Sequence, residues 1–160
     1  MAYIITNLVA LAVLVGLDQA IKAWAVAVLA PVGSMPLIPH VVELSFYLND
    51  GMAFSMLSGK QTFLIIATSV ALLGVAWYLF ARCKNQPLLR WSLLLILSGG
   101  IGNLIDRVLN GVVVDYINPL FMNFAVFNFA DICVCVGAVL LVLDVLFQDS
   151  KLKNTDKDAK

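Results

Sequence analysis

Charged residues are scarce in this chain. Of 160 residues, 12% are charged and 62% are hydrophobic, and the mean hydropathy is +0.97. Soluble domains are about 25% charged and about 45–50% apolar. That contrast excludes a soluble globular domain, a disordered tail and a coiled coil. The ten basic residues are cancelled by ten acidic ones, which argues against nucleic-acid binding, since that needs a basic face. Three cysteines are too few for a disulfide scaffold, and Cys133 and Cys135, two apart, point to different sides of a helix. With one histidine, His40, there is no zinc-ligand set. Internal repeats and low-complexity segments are also missing.

Long apolar runs take up most of the chain. Ile4 to Leu29 is broken only by Asp18, Gln19 and Lys22. Its length corresponds to about 39 Å of helix, more than the roughly 30 Å hydrocarbon core, so it must tilt or project. A cleaved signal peptide is the alternative for this run, with Val28-Leu29-Ala30 as a cleavage pattern. Against it stand the missing basic n-region and the internal charges. Thr62 to Phe80 carries no charge and ends beside Trp77 and Tyr78, which suit an interfacial belt. Leu88 to Leu109 and Asp131 to Phe147 complete four expected spans. The expected architecture is a mainly α membrane protein, a four-transmembrane-helix bundle forming one domain over 1–160.

Lysine and arginine set the orientation. Arg82 and Lys84 lie between spans two and three, with Arg90 interrupting span three early on the same side, and Lys151, Lys153, Lys157 and Lys160 lie in the tail 148–160. Lys60 stands alone between spans one and two, and the segment 110–130 has no basic residue. By the positive-inside rule both termini are cytoplasmic and the segments 30–61 and 110–130 face outward. Within the first of these, Val42, Leu44, Phe46 and Leu48 alternate with Glu43, Ser45 and Tyr47. That period of two predicts a strand with one apolar face, after turns marked by Pro31, Pro36 and Pro39. A small extracytoplasmic β-subdomain follows.

A charge inside a bilayer costs roughly 2.5–3.5 kcal/mol on insertion scales, so its placement is informative. Asp18 and Lys22 lie about two-thirds of the way out along span one, counting about 1.5 Å per residue. Asn103, Asp106 and Arg107 close span three along one side of the helix. Asn49 and Asp50 follow the strand, Asp115 follows span three, and Asn128 and Asp131 open span four. Of the acids within the spans, only Asp144 lies near the inner face. Each group also has a plainer role. Asp18 and Lys22 at i,i+4 can simply be an ion pair. Asn128 can be a helix N-cap, with Asp131 at N3. Ser98, Gly99, Gly100 and Gly102 can serve close helix packing. Asp144 reads as an interfacial residue and His40 as a loop residue.

Asp115 and Asp131 are the sharper pair. Each is an acid in an apolar run, and a returning loop can bring them together. Two carboxylates held close in a low dielectric share one proton. One then acts as base on a water and the other as acid on a carbonyl, as in aspartyl peptide hydrolysis.

Five stretches resemble the lipoprotein signal peptidase (signal peptidase II) family, in that family's order. Asp18-Gln19-Ala20-Ile21-Lys22 resembles D-Q-x-x-K. Asn49-Asp50-Gly51-Met52-Ala53-Phe54-Ser55 resembles N-x-G-x-A-F-S. Gly99 to Arg107 resembles G-G-x-x-G-N-x-x-D-R, Val113-Val114-Asp115-Tyr116 resembles V-V-D-[FY], and Phe127 to Asp131 resembles F-N-x-A-D. Met52 stands where alanine is common, and the 116–130 loop is short. The resemblance implies an intramembrane aspartyl endopeptidase with Asp115 and Asp131 as its catalytic dyad. It implies that Asn103, Arg107 and Asn128 order the dyad and the substrate backbone, and that Asn49 and Gly51 contact substrate. Asp18 and Lys22 brace the site, with Asp106 and Ala130 also among the supporting residues. The implied substrate is a bacterial prolipoprotein whose cysteine carries diacylglycerol, cut on the amino side of that cysteine. The setting is the bacterial cytoplasmic membrane with the site at its outer face. No metal or cofactor is implied, and a monomer is expected.

Other classes are weaker on the residues. A small proton-coupled transporter needs acids along a path across the membrane, and the inner half offers only Asp144. A Ser-Lys peptidase would use Ser55 or Ser58 with Lys60, which is flanked by polar residues rather than buried. A metal-dependent head-group transferase lacks its repeated Asp spacing, and a Ser-His site lacks a serine partner for His40.

Overall fold

The computed structural model describes residues 1–51 and 57–158, with side chains through Gln148. Four long helices form the bundle: α1 (Ala2–Val32), α2 (Gln61–Arg82), α3 (Pro87–Asn110) and α4 (Phe129–Asp158). All four are long and apolar enough to cross a membrane. Pro87 at the first position starts α3 without wasting an N–H. Gly111 stops it in a left-handed conformation (φ 72°), its N–H returning 3.1 Å to the Arg107 carbonyl. The helices outrun the apolar stretches that mark them. α4 in particular continues to Asp158, where the residues after Phe147 read as a solvated tail, because helix propensity does not end where hydrophobicity does.

Three antiparallel strands, β1 (Ser34–Ile38), β2 (Val42–Asn49) and β3 (Val113–Pro119), form a sheet in the order β1-β2-β3. Only β2 is visible as alternation in the sequence. β1 carries Pro36, expected as a turn residue; on an edge strand its missing N–H costs no ladder bond. β3 lies in the segment 110–130 that reads as a loop. It is buried on both faces at Val113 to Tyr116, so it shows a continuous apolar run instead of a period of two. A register shift between Leu44 and Tyr47 also breaks the expected single apolar face of β2. Leu44 and Phe46 pack inward with Ala25 and Leu29 of α1, but Leu48 beyond the shift is 49% exposed.

α3 is the central helix. Half of its most apolar stretch is buried, against 11% to 22% in the other three. Leu89, Leu93, Leu94 and Leu97 pack against Leu72 and Leu79 of α2. Toward α4 the contact is backbone-close. A Cβ on Gly99 would meet the Ala130 carbonyl oxygen, and one on Gly137 would lie 2.6 Å from the Ser92 carbonyl oxygen. Without a hydrophobic force between helices in lipid, such small residues permit the van der Waals contact that holds the bundle. The sheet joins the last turns of α1, the end of α3 and the start of α4, and the polar network lies at that junction.

Candidate active site

The start of α4 places one acid. Asn128 is its N-cap, and its Oδ1 accepts the Asp131 N–H at 3.0 Å. In return Asp131 Oδ2 accepts the Asn128 N–H at 3.0 Å. This reciprocal pair is a capping box. The N-cap role read from the sequence does not preclude a role in a site, because each residue keeps atoms to spare. Asp131 Oδ1 accepts from Asn103 Nδ2 at 2.8 Å. Asn128 Nδ2 donates to Asp115 Oδ1 at 2.6 Å, to Asn103 Oδ1 at 3.1 Å and to the Val114 carbonyl at 3.3 Å.

The sheet places the other acid. Asp115 sits on β3 opposite Tyr47 and is 1% exposed. Its second oxygen, Oδ2, accepts from Asn49 Nδ2 at 2.9 Å. Asn49 Oδ1 is engaged by the Gly51 N–H at 2.9 Å, which fixes the amide with its donor toward the acid. Burial pushes the Asp115 carboxyl up to about 6, and the Asp131 charge adds to that push; the Asn49 and Asn128 amides and Lys22 oppose it. Asp115 is thus the closed end of the site. Asp131, Asn103 and Arg107 are only half-buried, so the site opens on their side.

Beneath the acids lies a buried ionic cluster. Lys22 Nζ reaches Asp18 Oδ2 at 2.9 Å, Asp106 Oδ2 at 3.0 Å and Asn103 Oδ1 at 2.9 Å. Asp18 and Lys22 do form the i,i+4 pair, and Asp106 turns it into a triad. These acids are tied in turn to the elements that carry Asp115 and Asp131: Asp18 Oδ1 accepts the Ala130 N–H at 3.1 Å, and Asp106 Oδ2 the Val114 N–H at 3.2 Å. Gln19 Nε2 lies within 3.1–3.2 Å of Asp18 Oδ2, Asp106 Oδ1 and the Gly102 carbonyl. A Cβ on Gly102 would collide with the Asp18 carboxylate. That glycine therefore makes room for the cluster as well as for the helix crossing.

Nine expected residues thus meet in one network: Asp18, Lys22, Asn49, Asn103, Asp106, Asp115, Asn128, Ala130 and Asp131. At its margin, Arg107 Nη2 donates to the Gly51 carbonyl at 2.8 Å, closing the β2 end over the site. Two contributors are missing from the expected set. Gln19 belongs to the first motif, where a polar residue next to a buried acid is itself a signal. The Tyr116 hydroxyl accepts the Phe129 N–H at 3.1 Å; a tyrosine in an apolar strand carried no separate signal.

Residues outside the network have local roles. His40 is exposed at the β1–β2 turn with φ 62°, and Asp144 pairs with Gln148. Ser55, with the motif residues Met52 to Phe54, lies outside the described residues. Ser58 bonds Asp50, and Lys60 is exposed, so these two make no buried Ser-Lys site. Among the described residues no group of three or more His, Cys, Asp or Glu side chains could hold a metal ion.

Residues 10–147 match the signal peptidase (SPase) II family. A lipoprotein signal peptidase of Streptococcus thermophilus (strain CNRZ 1066) is 42% identical over 135 residues, covering 84% of this chain and 88% of that protein. One of Lactococcus lactis subsp. lactis (strain IL1403) is 37% identical over 157 residues, covering 96% and 97%. In structure the chain is similar to a bacterial membrane enzyme solved by the in meso method at 2.3 Å resolution. The TM-score is 0.83 at 32% identity, over 91% of this chain and 90% of that one. A second bacterial membrane enzyme, solved the same way at 1.9 Å, aligns with TM-score 0.78 at 32% identity over 88% and 92%.

Proposed function

The chain belongs to the signal peptidase (SPase) II family, and on that premise we propose that it is an aspartyl endopeptidase of bacterial prolipoproteins, with Asp115 and Asp131 as its dyad. Its substrate is a precursor whose cysteine carries diacylglycerol, and it cuts on the amino side of that cysteine. The observation that carries this reading is the shared scaffold of the two acids. Asn128 bonds Asp115 through its side chain and Asp131 through its backbone and side chain. The acids lie near enough for the charge of one to raise the other.

A dyad of this kind works by holding one proton between two carboxylates. The ionised member takes a proton from water as its oxygen adds to the scissile carbonyl carbon, and the other member protonates the carbonyl oxygen. Asn103, Arg107 and Asn128 order the acids and the substrate backbone. Asn49 and Gly51, at the end of β2, meet the substrate, while Asp18, Lys22, Asp106 and Ala130 hold the floor of the site. No metal or cofactor takes part, and the chain works as a monomer without nucleic acid. A bilayer-anchored substrate presents its scissile bond at the membrane surface, which suits a site at the sheet end of the bundle.

The test is cleavage of a lipid-modified precursor in reconstituted membranes by wild type, Asp115→Asn, Asp131→Asn and the double variant. Each single change costs several orders of magnitude, and the double change little more, because the two act as a unit. Full activity in well-folded Asp131→Asn rejects the dyad. For orientation, reporter fusions at Asn85 and after Lys160 read cytoplasmic and one near Ser34 external; an external signal at Asn85 overturns the outer-face location.

A further inference from the structure

Among the described residues the side chains of the two acids accept two hydrogen bonds each, but of unequal kinds. Asp115 accepts from two neutral side-chain amides, Asn49 and Asn128. Asp131 accepts the backbone N–H at a helix N-terminus and the amide of Asn103. That second amide is special because its other end is bound to a cation. An ammonium has three donors. Those of Lys22 have three partners, Asp18, Asp106 and Asn103. The two acids anchor the lysine, and its remaining donor is held on Asn103 Oδ1.

The Asn103 amide can stand only one way round. Its Oδ1 faces the Lys22 ammonium at 2.9 Å and Asn128 Nδ2 at 3.1 Å; reversing it would put NH2 against both. Its Nδ2 therefore points at Asp131 Oδ1, and the cation behind it polarises the donor. The Asn128 amide is fixed too, because its Oδ1 holds the Asp131 N–H. The charged and titratable groups around the dyad are Asp18 and Lys22 from α1, Asp106 and Arg107 from α3, and Tyr116 from β3. Asp18 and Asp106 spend oxygens on the Ala130 and Val114 N–H groups, which holds those carboxylates on the backbone and off the dyad.

Building on the aspartyl reading above, we infer that Lys22 acts through the Asn103 amide as a positioning relay, keeping the resting charge on Asp131 and the shared proton on Asp115. Asp131 is then the base and Asp115 the acid. Asp131 takes one water proton as the water oxygen bonds to the carbonyl carbon, and Asp115 gives its proton to the carbonyl oxygen, forming a gem-diol. Asp131 next passes its proton to the amide nitrogen as the C–N bond breaks. Asp115 takes a hydroxyl proton as the carbonyl re-forms. A carboxylic acid and an amine leave, and both aspartates return to their starting states.

Carbon-13 NMR of aspartate side-chain carboxyls in the full-length enzyme, in lipid nanodiscs and assigned by sequence, reads both states directly. Across pH 4–8 the Asp131 carboxyl carbon reaches the ionised position first, and the Asp115 carbon follows at higher pH. In Lys22→Met the order narrows or inverts. Should that variant not fold, Lys22→Met combined with Asp18→Asn and Asp106→Asn removes the three charges together and keeps their shapes. Asp115 ionising first in wild type, or an unchanged order in either folded variant, overturns the relay. The carboxyl signals are read without turnover. Failure of the aspartyl reading would show separately, as cleavage retained in Asp131→Asn.

Discussion

Asn128 holds Asp115 through its side-chain amide at 2.6 Å and Asp131 through its backbone N–H at 3.0 Å. One residue therefore sets the spacing of two acids that come from a strand and a helix. It also starts that helix, so a substitution must separate the two jobs. Serine caps as well as asparagine but is too short to reach Asp115. Asn128→Ser is expected to keep the melting temperature near wild type and to lower precursor cleavage by about 100-fold, the scale of losing one well-placed donor. Unchanged cleavage would mean that Asp115 is positioned without this amide.

Lys22 has a larger effect on folding. Replacing it with alanine leaves Asp18 and Asp106 facing each other, 1% and 3% exposed respectively. Exposed ion pairs are worth about 0–1 kcal/mol, whereas an uncompensated buried charge costs about 3–5 kcal/mol. Thermal unfolding in detergent should place Lys22→Ala at the larger value. A loss within the surface range would show that water reaches the triad.

Stability should depend on pH through Asp115. Its folded value of about 6 lies above the unfolded carboxylate value of about 3.9. Between those two the folded state binds more protons than the unfolded one, so stability falls as pH rises. The contribution is fully present below about pH 4 and gone above about pH 6. Subtracting the unfolding curve of Asp115→Asn from that of wild type isolates it from other carboxylates. A difference that grows with pH across this window would contradict the raised value.

Gly137 tests the helix crossing away from the acids. The Cβ of an alanine there would lie 2.6 Å from the Ser92 carbonyl oxygen and 3.0 Å from the Ile96 nitrogen. Both are backbone atoms, so the helices must move apart. Gly137→Ala is expected to cost about 1–3 kcal/mol, as overpacking does, measured by unfolding in detergent. No loss would mean that α3 and α4 have slack at this level.

Much of the molecule was legible in the sequence because lipid imposes strict terms. A bilayer demands long apolar runs and makes every internal charge costly, so four helices and most of the network residues stood out by composition alone. Tertiary structure decided the rest. Asp106 and Asn103 lie more than eighty residues from Lys22, and no local period reveals that they share its ammonium. β3 is buried on both faces and β1 contains a proline, so neither shows the alternation that marked β2; their pairing depends on partners distant in the chain. The sequence determined which residues are polar and at what depth along each helix. Which oxygen faces which donor follows from glycine-close packing of α3 on α4 and from a sheet that lays Asp115 against Asn128, because hydrogen bonds are set by distances that only the assembled backbone defines.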